Sequence, residues 1–112
     1  HSWTFDFAAR PGEDVLAATT RAYASVFITQ SQEWKHEYLV NMAKRFHVDG
    51  IVFHDAKTCP HNTNARFGLP QRIQEETGIP ALTFYGDLVD MRQFAEEEFS
   101  LRMEAFLEAL HV

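Results

Sequence analysis

Apolar residues recur along this chain in two rhythms, one helical and one continuous. After the Pro11-Gly12 break, the Ala-, Val- and Leu-rich stretch from Gly12 to Thr20 reads as a short helix with room to run on past Arg21. Ser25-Val26-Phe27-Ile28 fits either a strand or the end of that helix. Ser31 then has the character of an N-cap. Trp34, Tyr38, Leu39, Met42 and Phe46 come next at helical spacing, which predicts a helix ending near His47. Asp49-Gly50 breaks the pattern, and Ile51-Val52-Phe53 is a continuous apolar run that stops at His54-Asp55. Such a run predicts a strand buried on both faces, as in a parallel sheet.

The polar stretch from Ala56 to Thr63, with Pro60 inside it, is a loop. A third helix is predicted over Asn64 to Thr77, with Leu69 and Ile73 on one side, Pro70 as a mark of a first turn and Gly78 as its C-terminal cap. Ala81-Leu82-Thr83-Phe84-Tyr85 is a second strand, and Gly86-Asp87 opens another loop. The last helix is expected over Met91 to His111, with a stripe of Phe99, Met103, Phe106, Leu107 and Leu110. Its N-cap is expected at Asp90, and Glu96, Glu97 and Glu98 sit early, where the helix dipole favours acids.

This alternation of helix, strand, loop, helix, strand, loop and helix is the grammar of parallel βαβ units with right-handed crossovers. The fold class expected is α/β: a small parallel sheet with flanking helices, a flavodoxin- or Rossmann-like lobe. The whole chain, 1–112, reads as a single lobe, with 1–30 as a candidate inter-lobe segment. Two strands are few for a self-sufficient doubly wound sheet, which usually has about 5–6. The chain also does not begin with Met, so the expectation is part of a larger subunit.

Composition narrows the functional classes. Hydrophobic residues make up 46% of the 112, and charged residues 23%, which is enough apolar surface to order a core. No apolar run approaches the ~20 residues of a membrane span. The first residues lack the basic n-region and apolar core of a signal peptide. The net charge of -6 and the scattered bases argue against nucleic-acid binding, which needs a concentrated basic face. The one cysteine, Cys59, has no internal disulfide partner, consistent with a reducing compartment such as the cytoplasm.

Candidate chemistry gathers in the two loops that come after the strands, where α/β sheets place their ligands. The first carries His54, Cys59 and His61. A thiolate is a soft ligand for zinc or an iron–sulfur cluster, and histidine suits zinc. A mixed His54–Cys59–His61 zinc site is one reading, although the spacing matches no recognised zinc pattern. Plain packing for Cys59 and backbone bonding for each histidine is the other. The second loop carries Asp87, readable as a polar group facing a ligand, and Asp90, readable as a cap; the other reading makes both turn and cap residues with Arg92 as an ion-pair partner. His36, His47, Glu104 and Glu108 read as structural or solvated. No GxSxG elbow, P-loop or GxGxxG fingerprint is present.

Asp49-Gly-Ile-Val-Phe-His54, Lys57-Thr-Cys59-Pro, Gly78-Ile-Pro80, Gly86-Asp-Leu-Val-Asp90-Met-Arg92 and Arg102-Met-Glu-Ala-Phe-Leu-Glu108 succeed one another in a characteristic order. The order resembles the C-terminal part of the 2-hydroxyacyl-CoA dehydratase and benzoyl-CoA reductase family, over about residues 13 to 111. The stretch from His54 to Asn64, with Arg66-Phe-Gly-Leu-Pro-Gln71, looks closer to the benzoyl-CoA reductase branch.

The resemblance implies a subunit of α/β lobes that holds a [4Fe–4S] cluster through cysteines from separate parts of its chain. It implies a homologous second subunit, an ATP-hydrolysing activator as electron donor, and an acyl-CoA substrate that is either dehydrated or dearomatised, in an anaerobic setting. Cys59 matches the C-terminal ligand cysteine of such subunits. His54, His61 and Asp87 are candidate catalytic residues beside it. One cysteine cannot ligate a cluster that draws on several thiolates, so the other ligands are expected from outside these residues. The competing reading is a small flavodoxin-like binding or regulatory module without a cluster.

Overall fold

A computed structural model describes residues 10–59, 65–87 and 89–110. The chain divides into two compact units, His1–Lys35 and His36–Val112.

In the first unit, helix α1 (Val15–Ala24) starts at Asp14, whose carboxylate accepts from the amides of Leu16 and Ala17. That is the satisfaction of orphan amides that an N-cap provides. Ser25 caps its C-terminus. Of the two readings of Ser25 to Ile28, neither describes the whole segment: Ser25 ends the helix, and Phe27–Thr29 forms a separate 3-10 turn. Ala18, Ala22 and Val26 are buried. Lys35 is buried as well, its ammonium directed to the carbonyl of Ile28 at 3.5 Å and lying 5.6 Å from the ring centre of Phe27. Glu13 receives a bidentate contact from Arg21, at 3.1 and 3.0 Å, and this hydrogen-bonded pairing pulls its carboxyl down to about 2.

Helix α2 (Gln32–Arg45) has the expected cap. The Ser31 hydroxyl accepts from the Trp34 amide at 3.2 Å. The second unit is built on strands β1 (Ile51–Ala56) and β2 (Ala81–Gly86), with helix α3 (Leu69–Thr77) between them and helix α4 (Glu96–Leu110) after them. The strands run parallel, Ile51 opposite Ala81 and Ala56 opposite Gly86.

Successive side chains point to opposite faces of a strand, so the register divides the layers. Ile51 and Phe53 share a face with Ala81. Phe53 joins Val40 of α2 and Leu69 and Ile73 of α3 in the main core, and Leu69 and Ile73 are fully buried. On the other face Phe84 meets Phe99 of α4 at 4.9 Å. Helices therefore flank the sheet on both faces, as expected. Complete burial of β1 is not observed, because Val52 is 43% exposed. Gly50 admits α4: a Cβ there would lie 2.8 Å from Phe106 and 2.9 Å from Leu110.

Two helices begin later than the sequence pattern predicts. Phe67 and Gly68 both adopt positive φ, at 56° and 69°. That left-handed turn cannot belong to a helix, so α3 starts at Leu69 with Pro70 in its first turn. It ends as expected at Gly78, whose φ of 72° a side chain would strain. The last helix does not start at Met91. Asp90 is a cap, but of a 3-10 turn, Met91–Gln93. Phe94 is then extended, and α4 opens only at Glu96.

The backbone groups on the two outer edges of the sheet are treated differently. Ile51 and Lys57 donate to Pro80 and Gly86, so the odd-numbered residues of β1 and the even-numbered residues of β2 face each other. Ala81 and Thr83 therefore turn their amide and carbonyl groups outward. The Gln74 side chain accepts from the Ala81 amide at 3.1 Å, and Arg102 donates to the Thr83 carbonyl at 2.8 Å. Along the outer edge of β1, Val52 and His54 have no such side-chain cap among the described residues.

Candidate functional site

The βαβ connectivity brings the loops after β1 and β2 side by side. The Lys57 amide donates to the Gly86 carbonyl at 3.0 Å, and the Thr58 hydroxyl donates to the Asp87 carboxylate. Asp87 also accepts from the amide of Asp90, at 3.3 Å. Asp87 thus ties the two loops together. Asp90 holds Arg92 through two contacts, at 2.8 and 2.9 Å, and accepts from its amide. That pairing lowers the Asp90 carboxyl below its ordinary value and raises the Arg92 guanidinium above its own. The turn-and-cap contacts expected for this loop are present, with Arg92 as the ion-pair partner.

Cys59 ends a turn closed by its amide on the Ala56 carbonyl, at 3.3 Å. Its thiol is free of disulfide and half-buried. His54 turns away from the loop onto β2. Its ring stacks on Phe84 with centres 4.9 Å apart, and a Cβ on Gly86 would come 3.1 Å from its Nε2. His61 lies outside the described residues. Among the described residues, no three His, Cys, Asp or Glu side chains converge to hold a metal ion. Cys59 can offer one thiolate to a cluster, and the single cysteine of the chain cannot supply the rest.

His36 is structural, as expected. Its Nε2 meets the Glu76 carboxylate at 2.6 Å, joining α2 to α3, and this contact lowers the Glu76 carboxyl. The sequence reading missed a cleft of about 230 Å³ beside β2, lined by Lys57, Tyr85, Arg92, Glu98, Phe99 and Arg102 among others. The only signal for it was Lys57 and Arg92 standing in the two adjacent loops.

The model of the 2-hydroxyglutaryl-CoA dehydratase D-component family matches residues 1–110. The chain belongs to that family. Among its relatives, the lactoyl-CoA dehydratase subunit alpha of Anaerotignum propionicum is 25% identical over 96% of this chain and 25% of its own length. The (R)-phenyllactyl-CoA dehydratase alpha subunit of Clostridium sporogenes is 30% identical over 88% of this chain and 23% of its own length. The (R)-2-hydroxyglutaryl-CoA dehydratase subunit alpha of Acidaminococcus fermentans is 28% identical over 95% and 21%. The chain thus spans about a quarter of the length of the curated relatives it matches. Among the described residues, no helix is long and apolar enough to cross a membrane.

Proposed function

We propose that this chain forms a cluster-carrying lobe of a 2-hydroxyacyl-CoA dehydratase subunit, with Cys59 as one thiolate ligand of a [4Fe–4S] cluster. The observation that carries the reading is the place of the cysteine. In a chain of this family, the only cysteine lies just past the carboxyl end of β1, beside the loop after β2. Ligands of α/β sheets bind at such ends. When bound, the cluster supplies a low-potential electron to the CoA thioester.

The residues of this chain prepare that position. The turn from Ala56 to Cys59 fixes the thiol, and the Thr58–Asp87 contact locks the neighbouring loop to it. Phe67, Val89 and Met91, all at least 77% exposed, present apolar surface from the segments around the two loops. Burial of that surface against the rest of the subunit, or against a homologous second subunit, would keep water from the cluster. The activator that hydrolyses ATP and donates the electron belongs to the same reading. So does elimination of water from a 2-hydroxyacyl group, which the names of the relatives favour over dearomatisation of a benzoyl ring.

The test is Cys59→Ala in the complete subunit with its partner. Iron and sulfide analysis should show cluster loss with dehydration abolished, and Cys59→Ser should retain part of the iron. Unchanged iron content and activity in Cys59→Ala would overturn the assignment.

A further inference from the structure

We infer that the cleft beside β2 binds the phosphate groups of a CoA thioester, with Lys57, Arg92 and Arg102 as the contacting cations. This inference deepens the function proposed above and rests on it for the identity of the ligand. The cleft itself stands on charge and geometry.

The chain carries 16 acids against 10 bases, yet this cleft is lined by three cations and one carboxylate, Glu98, and even with Asp90 paired to Arg92 beside it the cations stay in excess by one. A concave site with such a local excess focuses a positive field against the sign of the whole chain. The cations come from separate elements. Lys57 arrives from the loop after β1, with its ammonium 6.0 Å from the centre of the Tyr85 ring. Arg92 arrives from the 3-10 turn after β2, and Arg102 from α4.

Both arginines are held in place by contacts that use only part of their donor set. A guanidinium has five N–H donors. Asp90 takes two from the Arg92 side chain, through Nε and Nη2. The Thr83 carbonyl takes one from Arg102 at 2.8 Å, while Glu98 lies 3.5 Å from its Nη1. Oriented guanidinium groups with donors to spare suit phosphate, which accepts bidentate contacts. The ring of Tyr85, 53% exposed, adds a flat apolar wall. A volume of about 230 Å³ admits a phosphate-bearing portion of a ligand rather than a whole cofactor. CoA carries a diphosphate and a 3′-phosphate at the end remote from its thiol, so the site would fix the handle and leave the thioester to reach elsewhere.

The test is calorimetric binding of CoA, pantetheine and inorganic phosphate to the complete enzyme and to a Lys57→Gln/Arg92→Gln variant. Glu13→Gln, in the first unit, serves as the control for an unrelated charge change. CoA affinity should fall roughly tenfold in the double variant, as expected for lost hydrogen bonds to charged groups, while pantetheine affinity stays unchanged. Phosphate should compete with CoA in the wild type. Phosphate binding as tight as that of CoA would make free phosphate the ligand and overturn the CoA assignment. Unchanged CoA affinity, or equal losses for CoA and pantetheine, would overturn the cleft. Iron content reads out the cluster separately, so loss of either proposal is distinguishable from loss of the other.

Discussion

The hydroxyl of Thr58 donates to the carboxylate of Asp87, 29 residues further along the chain, and joins the loop after β1 to the loop after β2. The other oxygen of that carboxylate accepts from the Asp90 amide, so one side chain sets the geometry of both loops. Thr58→Val keeps the shape and removes the donor. Stability should fall by about 1 kcal/mol, and exchange of the Asp90 amide should quicken, as read by denaturant titration and hydrogen exchange. Thr58→Ser should restore both. Wild-type exchange at Asp90 in the valine variant would show that the loops are held by something else.

Ile73 is fully buried between α3, α2 and β1, in the cluster with Val40, Phe53 and Leu69. Ile73→Ala removes packing from the centre of that cluster. The expected loss is about 2–5 kcal/mol, measured by chemical denaturation. A loss below about 1 kcal/mol would mean that the helices collapse onto the space.

Gly86 is buried with the His54 ring against it, and an added Cβ would stand 3.1 Å from Nε2. Gly86→Ala should push the imidazole off Phe84 at a cost of about 1–3 kcal/mol. The ring-current shift of the His54 protons would report the movement. If those shifts hold while stability drops, the strain falls on the backbone instead.

Acid should loosen the first unit. The Glu13 carboxyl stands at about 2 because Arg21 hydrogen-bonds its charged form. A carboxyl depressed in the folded state contributes stability that is complete above its ordinary value of 4.5 and is lost as pH falls toward about 2. Glu13→Gln should flatten the fall in stability between those limits, tracked by far-ultraviolet circular dichroism. An identical acid profile in wild type and variant would remove Glu13 from the account.

Local signals were legible in the sequence where one residue decides the outcome. Ser31 caps α2 and Gly78 closes α3, whereas Asp90 caps a 3-10 turn and not the last helix. Both strands lie where the apolar runs place them. The starts of α3 and α4 were not legible. Phe67 gives no hint that it will adopt a left-handed turn, and a hydrophobic stripe does not reveal that Phe94 is extended. Pairings across distance were also hidden. The His36–Glu76 contact spans 40 residues, and Thr58 with Asp87 became neighbours only because parallel pairing sets their loops together. The cleft arose from that adjacency and from Arg102 on α4, whose reach to Thr83 no local pattern encodes.

Gln74 and Arg102 occupy the outward backbone groups of Ala81 and Thr83, whereas those of Val52 and His54 carry no side-chain cap among the described residues. A further strand paired along β2 would therefore have to displace an amide and a guanidinium first. Because Arg102 also lines the cleft, a strand added on that side would dismantle one wall of it.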